Sequence, residues 1–150
     1  MFNRLFHITA FALTLLVVVG CSDGRPKRVP VSGVVTIEGQ PLTGDFVGFV
    51  RFCPTAAGRP AQAKLDSQGR FVLGNYEHDD GAPLGEYRVI VNISEQKNMK
   101  MRYMTPPRFW TSKTTPIVVS ITGKTEDLTI NVEWTSEDAS YKNKWFEMND

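Results

Sequence analysis

From Glu86 to Ile93 the chain alternates strictly. Tyr87, Val89, Val91 and Ile93 fall on one side of an extended backbone, and Arg88, Ile90 and Asn92 on the other. Successive side chains of a strand point to opposite faces, so this pattern predicts a strand with one face in a core. The residues before it agree. Asp66-Ser67-Gln68-Gly69 carries the chemistry of a tight turn: an Asp that bonds its own backbone two residues on, and a Gly that accepts a positive φ. Arg70-Phe71-Val72-Leu73 then puts Phe71 and Leu73 on one face at period two. Pro83 stands just outside the following strand, where its missing N–H costs little. The stretch 65–93 reads as strand, turn, strand, acidic loop, strand.

Other strands follow from the same patterns. Residues 31–37 are β-rich, and 38–44 form a turn by their Gly and Pro content. Residues 46–53 predict a strand with Phe46, Gly48, Val50 and Phe52 on one face and Val47, Phe49, Arg51 and Cys53 on the other. Both faces are partly apolar, so a cover over the second is expected. Further strands are expected at 61–65, 70–75, 86–93, 117–121 and 128–134, the last marked by Leu128, Ile130, Val132 and Trp134. Residues 94–115, with Pro106-Pro107 and Phe109-Trp110, read as a long irregular loop, of the kind that is functional or draped on the fold. Seven short strands separated by turn signals predict an all-β fold, a seven-stranded antiparallel β-sandwich. In the tail, Thr135-Ser136-Glu137-Asp138 has the form of a helix cap, which predicts a short C-terminal helix.

The front of the chain follows different rules. Met1 to His7 carries one cation, Arg4, and Ile8 to Val19 is apolar but short of the roughly 20 residues a bilayer requires. The run ends in Val18-Val19-Gly20-Cys21, which resembles the lipobox of bacterial lipoproteins. That resemblance implies removal of residues 1–20, lipidation of Cys21 and acylation of its new amino terminus with palmitate-type chains. One acyl chain holds a protein only marginally and several hold it firmly, at about 0.8 kcal/mol per buried CH₂. Ser22 after the Cys implies the outer membrane rather than the inner. The expected organisation is a signal peptide at 1–20, a tether at 21–30, the sandwich at 31–134, and a tail at 135–150 that packs on the domain.

Without its first 20 residues the chain keeps 130 of 150, enough for one domain with a real core. Arg4 is lost with the signal, so of 17 basic residues 16 remain, against 16 acidic ones. Such a balance gives no general attraction to nucleic acid. With Cys21 lipidated, Cys53 is the only thiol and no internal disulfide can form.

The turn residues also follow a recognisable order. It runs Val31-x-Gly33-x-Val35, Gly39-x-Pro41-Leu42-x-Gly44, Val50-x-Phe52-x-Pro54 and Gly58-Arg59-Pro60-Ala61. It continues with Asp66-x-x-Gly69-x-Phe71, Asp80-Gly81-Ala82-Pro83-x-Gly85-x-Tyr87, Pro107-x-x-Trp110 and Thr114-Thr115-Pro116-Ile117. Over residues 29–134 this order resembles the small lipoproteins of planctomycete bacteria that carry a carboxypeptidase-regulatory-like, or transthyretin-like, domain. The resemblance implies a seven-stranded sandwich behind a lipobox. It brings no activity and no catalytic residues. The chain departs from the pattern in a longer second strand and an aromatic tail after Trp134.

Little in the chain suggests chemistry. His78 is the only histidine after the signal, no Ser stands in a Gly-x-Ser-x-Gly elbow, and a zinc site needs more Cys and His than remain. The hydroxyisourate hydrolases share the transthyretin fold, but their several histidines and basic C-terminal motif are missing. A Lys–Asn isopeptide bond is also excluded, because Asn131 alternates with the apolar residues and points outward. Glu77, Asp79 and Asp80 offer oxygen ligands for Ca²⁺, though in no EF-hand spacing. Arg102, Tyr103, Arg108, Phe109 and Trp110 are the candidate ligand-binding residues, since aromatic and Arg side chains dominate binding hot spots. The alternative is that these rings cover the end of the sandwich.

Alternation of strand direction places the acidic loop 76–84 at the tether end. Loop 94–115 and the tail then lie at the far end, about 25–30 Å away at roughly 3.3 Å per residue. The far loop has five cations against Glu95, and the tail is net acidic, so the tail is expected on that loop or over Val47 and Phe49. The expected protein is a non-enzymatic, membrane-anchored envelope lipoprotein without a cofactor. It would be structural, or bind an envelope protein or polysaccharide. The alternative is a periplasmic carrier or sensor of a small ligand or Ca²⁺.

Overall fold

The computed structural model describes residues 24–148; Cys21 and the signal segment lie outside the described residues. The fold is all-β, with mixed sheets packed as a sandwich. Its strands are β1 (Arg28–Val29), β2 (Val31–Ile37), β3 (Gln40–Pro41), β4 (Val47–Pro54), β5 (Ala61–Lys64) and β6 (Arg70–Val72). They continue with β7 (Ala82–Pro83), β8 (Gly85–Lys97), β9 (Lys100–Tyr103), β10 (Val118–Ile121), β11 (Thr125–Val132) and β12 (Trp145–Glu147). One sheet runs β5-β4-β8-β9-β12, with β10 also on β8. The other places β11, β3 and β6 about β2, and β1 pairs with β7 alone.

The alternation of residues 86–93 fills the core. Tyr87, Val89, Val91 and Ile93 of β8 are all buried, opposite Val31, Val35, Ile130 and Val132 of the second sheet. Phe52 lies between Phe71 and Tyr87, with ring centroids 6.1 and 6.0 Å away. Tyr87 also closes a corner. Its hydroxyl donates to the Pro83 carbonyl at 2.7 Å, tying the start of β8 to the turn four residues upstream, the arrangement of a tyrosine corner in a sandwich. Burial pushes the Tyr87 phenol up from its ordinary value.

Each of the seven expected strands has a counterpart in β2, β4, β5, β6, β8, β10 and β11, and five short strands accompany them. Two differences are physical. First, residues 94–115 are more regular than their composition suggests. β8 continues to Lys97, turns at Asn98 and Met99 (φ 50° and 60°), and returns as β9. Two left-handed residues make a primed turn, whose usual marker is a Gly that this chain lacks there. The remainder is stitched by threonines to the edge of β8 left between β9 and β10. Thr105 Oγ1 accepts from Ile93 N–H, and the Thr115 hydroxyl donates to Val89 C=O at 2.6 Å. A short 3-10 turn, Pro107–Phe109, then sends Phe109 into the core.

Second, β11 runs parallel to β2, which period-two patterning cannot reveal. Gly33 permits the pairing: a Cβ there would lie 2.1 Å from the Leu128 carbonyl oxygen. Gly81 serves likewise beneath β1, where a Cβ would meet Val29 O at 2.0 Å.

After β11 the chain forms a 3-10 turn, Ser136–Asp138, with Thr135 and Asp138 in a reciprocal capping box. It then returns as β12 against β9, with Phe146 opposite Met101. Among the described residues no helix is long and apolar enough to cross a membrane.

Candidate functional site

Three regions gather the polar and aromatic side chains. At the far end, the five residues singled out from sequence are brought close, but they face the protein rather than solvent. Phe109 is 2% exposed and belongs to the core. Tyr103 stacks on Trp110 with centroids 4.1 Å apart, and Tyr141 and Phe146 of the tail close the cluster. Trp110 Nε1–H donates to Thr105 O at 3.1 Å. The two arginines are engaged as well. Arg102 pairs with Glu95, lies 5.2 Å from the Trp145 ring and donates to Asn143 Oδ1. Arg108 pairs with the buried Asp138 and donates to Glu133 O and Thr135 Oγ1. A small cavity of about 220 Å³ remains beside them, between Leu42, Arg102, Trp134 and Lys142.

The acidic loop has another task. Asp80 Oδ1 accepts from Asn75 N–H, Oδ2 accepts from Tyr76 and Glu77 N–H, and Arg28 Nε lies 2.9 Å away. Burial alone would push the Asp80 carboxyl up. The three backbone donors and the Arg28 guanidinium outweigh it and hold the group below the ordinary carboxylate range. Asp80 thus shapes the loop and clamps the start of the domain. Glu77 pairs with Arg25 at 3.7 Å, and Asp79 with the exposed His78 at 2.9 Å. These carboxylates do not converge: among the described residues no group of three or more His, Cys, Asp or Glu could hold a metal ion.

The third region was visible in the sequence only as an unexplained apolar outer face. Over β4 and β5 lies an open cleft of about 770 Å³, lined among others by Phe49, Arg51, Arg59, Lys64, Asn75 and Tyr76. The tail does not cover this face: Val47 is 65% and Phe49 38% exposed. Strand register builds its floor, with Phe49 opposite Lys64 and Arg51 opposite Gln62. Arg51 Nε donates to Gln62 Oε1 at 3.2 Å and its guanidinium lies 6.0 Å from the Phe49 ring. One wall is Tyr76, whose ring meets the guanidinium groups of Arg25, Arg28 and Arg59 at 4.8, 5.2 and 5.0 Å. Beneath it, Asn75 donates through Nδ2 to Arg59 O and Pro60 O, while its buried Oδ1 takes no hydrogen bond. Cys53 continues the same strand, and burial pushes its thiol up, away from the reactive thiolate.

The cleft brings together a partly exposed ring, the Gln62 amide and cations on the outer face of β4 and β5. The chain matches no family model, no curated protein and no solved structure.

Proposed function

We propose that this protein is a lipid-anchored lipoprotein of the bacterial envelope. Its β-sandwich works without catalysis as a structural or binding module, held close to the membrane by its N-terminus. The observation that carries the reading is the short path from Cys21 to the fold. Arg28, the first residue of β1, stands seven positions later, where β1 pairs with β7 and Arg28 pairs with Asp80. Seven residues reach at most about 25 Å, so acyl chains on Cys21 would keep the domain at the bilayer surface. The order of turn motifs and the tyrosine corner support a transthyretin-like, carboxypeptidase-regulatory-like sandwich. The residue after Cys21, Ser22, favours the outer membrane. The binding partner is an envelope protein or a polysaccharide, and the open cleft over β4 and β5 offers it more exposed surface than the far loop, whose rings pack edge-on against the tail.

Growth with labelled palmitate tests the anchor. The wild-type chain should carry label and sediment with membranes. Cys21→Ser should carry none and appear in the soluble fraction. Label retained by Cys21→Ser, or absent from the wild type, would overturn the proposal.

A further inference from the structure

We propose that the cleft over β4 and β5 binds an acidic polysaccharide, whose charged groups meet Arg51, Arg59 and Lys64 and whose sugar rings rest on Phe49. The inference rests on the envelope-module reading and gives it a site and a ligand class.

Charge carries the argument. The ion pairs of the described residues join Arg25 to Glu77, Arg28 to Asp80 and Arg102 to Glu95, among others. None involves Arg51, Arg59 or Lys64. The carboxylate that lines the cleft, Glu77, is turned to Arg25. Three cations thus share one concave surface with no carboxylate of their own, where they attract an anion. The two arginines are also held in place. Tyr76 lies against Arg59, Gln62 bonds Arg51, and Asn75 fixes the backbone at Arg59 and Pro60.

The remaining chemistry selects a glycan over a peptide. Phe49, 38% exposed, offers an aromatic ring on the outer face of the sheet, and apolar sugar faces pack on such rings. Gln62, exposed on β5, brings an amide, which bonds hydroxyls as donor and acceptor. An extended peptide would bind a sheet most readily by adding a strand at its edge. That route is obstructed at β5, because Gln62 N–H donates to Gly74 O at 2.8 Å and Gly74 N–H to Gln62 O at 3.0 Å.

The test uses the full-length protein in detergent micelles, with polygalacturonate as the probe. Fully methyl-esterified polygalacturonate and poly-glutamate are the comparators, and binding is read by calorimetry. The wild type should bind polygalacturonate at least about tenfold more tightly than either, a difference that one good charged contact and one ring can supply. Arg59→Ala combined with Lys64→Ala should weaken binding about tenfold or more, and Phe49→Ala about fivefold. Lys124→Ala, away from the cleft, should change nothing. All these side chains are exposed, and unchanged near-ultraviolet circular dichroism verifies the fold of each variant. Absence of polygalacturonate binding, equal binding of poly-glutamate, or indifference to the cleft variants would overturn the proposal. Acyl chains on Cys21 are measured by mass on the same preparation. An acylated protein that ignores the polymer would end the ligand assignment and keep the envelope reading. A non-acylated protein that binds it would do the reverse.

Discussion

Replacing Tyr87 by Phe removes one oxygen and leaves the ring in place against Phe52. The Pro83 carbonyl then loses the 2.7 Å hydrogen bond that closes the corner before β8. A partly buried acceptor deprived of its donor costs about 1–2 kcal/mol. At roughly 2.1 cal/mol/K of unfolding entropy per residue over a domain of this size, that is a fall in Tm of about 4–8 °C. The titration of Tyr87 gives an internal control. Its pKa is raised in the folded state, so its neutral form favours folding at low and neutral pH. That contribution is present below the ordinary tyrosine pKa of about 10 and is lost as pH rises through the folded value. Tyr87→Phe has no such group to lose. In urea titrations of residues 22–150, the variant should be the weaker protein at pH 7, and the gap should narrow above pH 10. A loss below about 0.5 kcal/mol at pH 7, well under the cost of an orphaned acceptor, would refute the corner as a stabilising contact. A gap that stays constant through pH 11 would refute the assigned titration.

Three other expectations follow from the geometry. Asp80→Asn should cost about 1–3 kcal/mol, since a neutral amide replaces an acceptor of three backbone N–H groups and of Arg28. Because the Asp80 pKa is lowered on folding, its contribution is present above about pH 4 and fades as pH falls, so the variant should show the flatter acid limb in a pH series of melting curves. Truncation after Thr135 removes Asp138 from Arg108, β12 from β9 and Tyr141 from Trp110. It should lower the melting temperature and shift Trp fluorescence to the red; an unchanged melting temperature would show that the tail only rests on the domain. Gly33→Ala should cost about 2 kcal/mol or more by forcing a methyl against Leu128 O, and hydrogen exchange should then find β11 less protected than β4.

The strands that alternate were legible, because period two is a local property. β8 shows it most fully: the four residues that the sequence marks are buried, and Ile90 on the opposite face is buried as well. The hairpin at Asn98-Met99 was hidden because a methionine occupies a left-handed position that sequence reading assigns to Gly. The parallel contact of β2 with β11 is a relation between distant segments, and only the bare side of Gly33 hints at it. At the far end, composition alone could not separate a recognition patch from a cover. Phe109 and Trp110 have the residue types of both, and the tail rings set edge-on against Trp110 and Tyr103 separate the two. The cleft was not legible because its parts come from β4, β5, the loop between them and the loop after β6. The outward Phe49 and Val47 were the signal for it.

The side-by-side course of β2 and β11 also constrains how the molecule is made. The hydrogen bond from Thr36 to Asn131 joins residues 95 positions apart, and closing a loop of that length costs about 4 kcal/mol of chain entropy. A ribosome releases β2 long before its partner, so β2, β3 and β6 wait with an open edge until β11 has emerged. Folding is therefore expected to be slow and late, since the second sheet is completed only when β11 arrives. For the envelope lipoprotein proposed above, threaded across a membrane before it folds, that delay would be an advantage: the architecture would keep the polypeptide export-competent until translocation is almost finished.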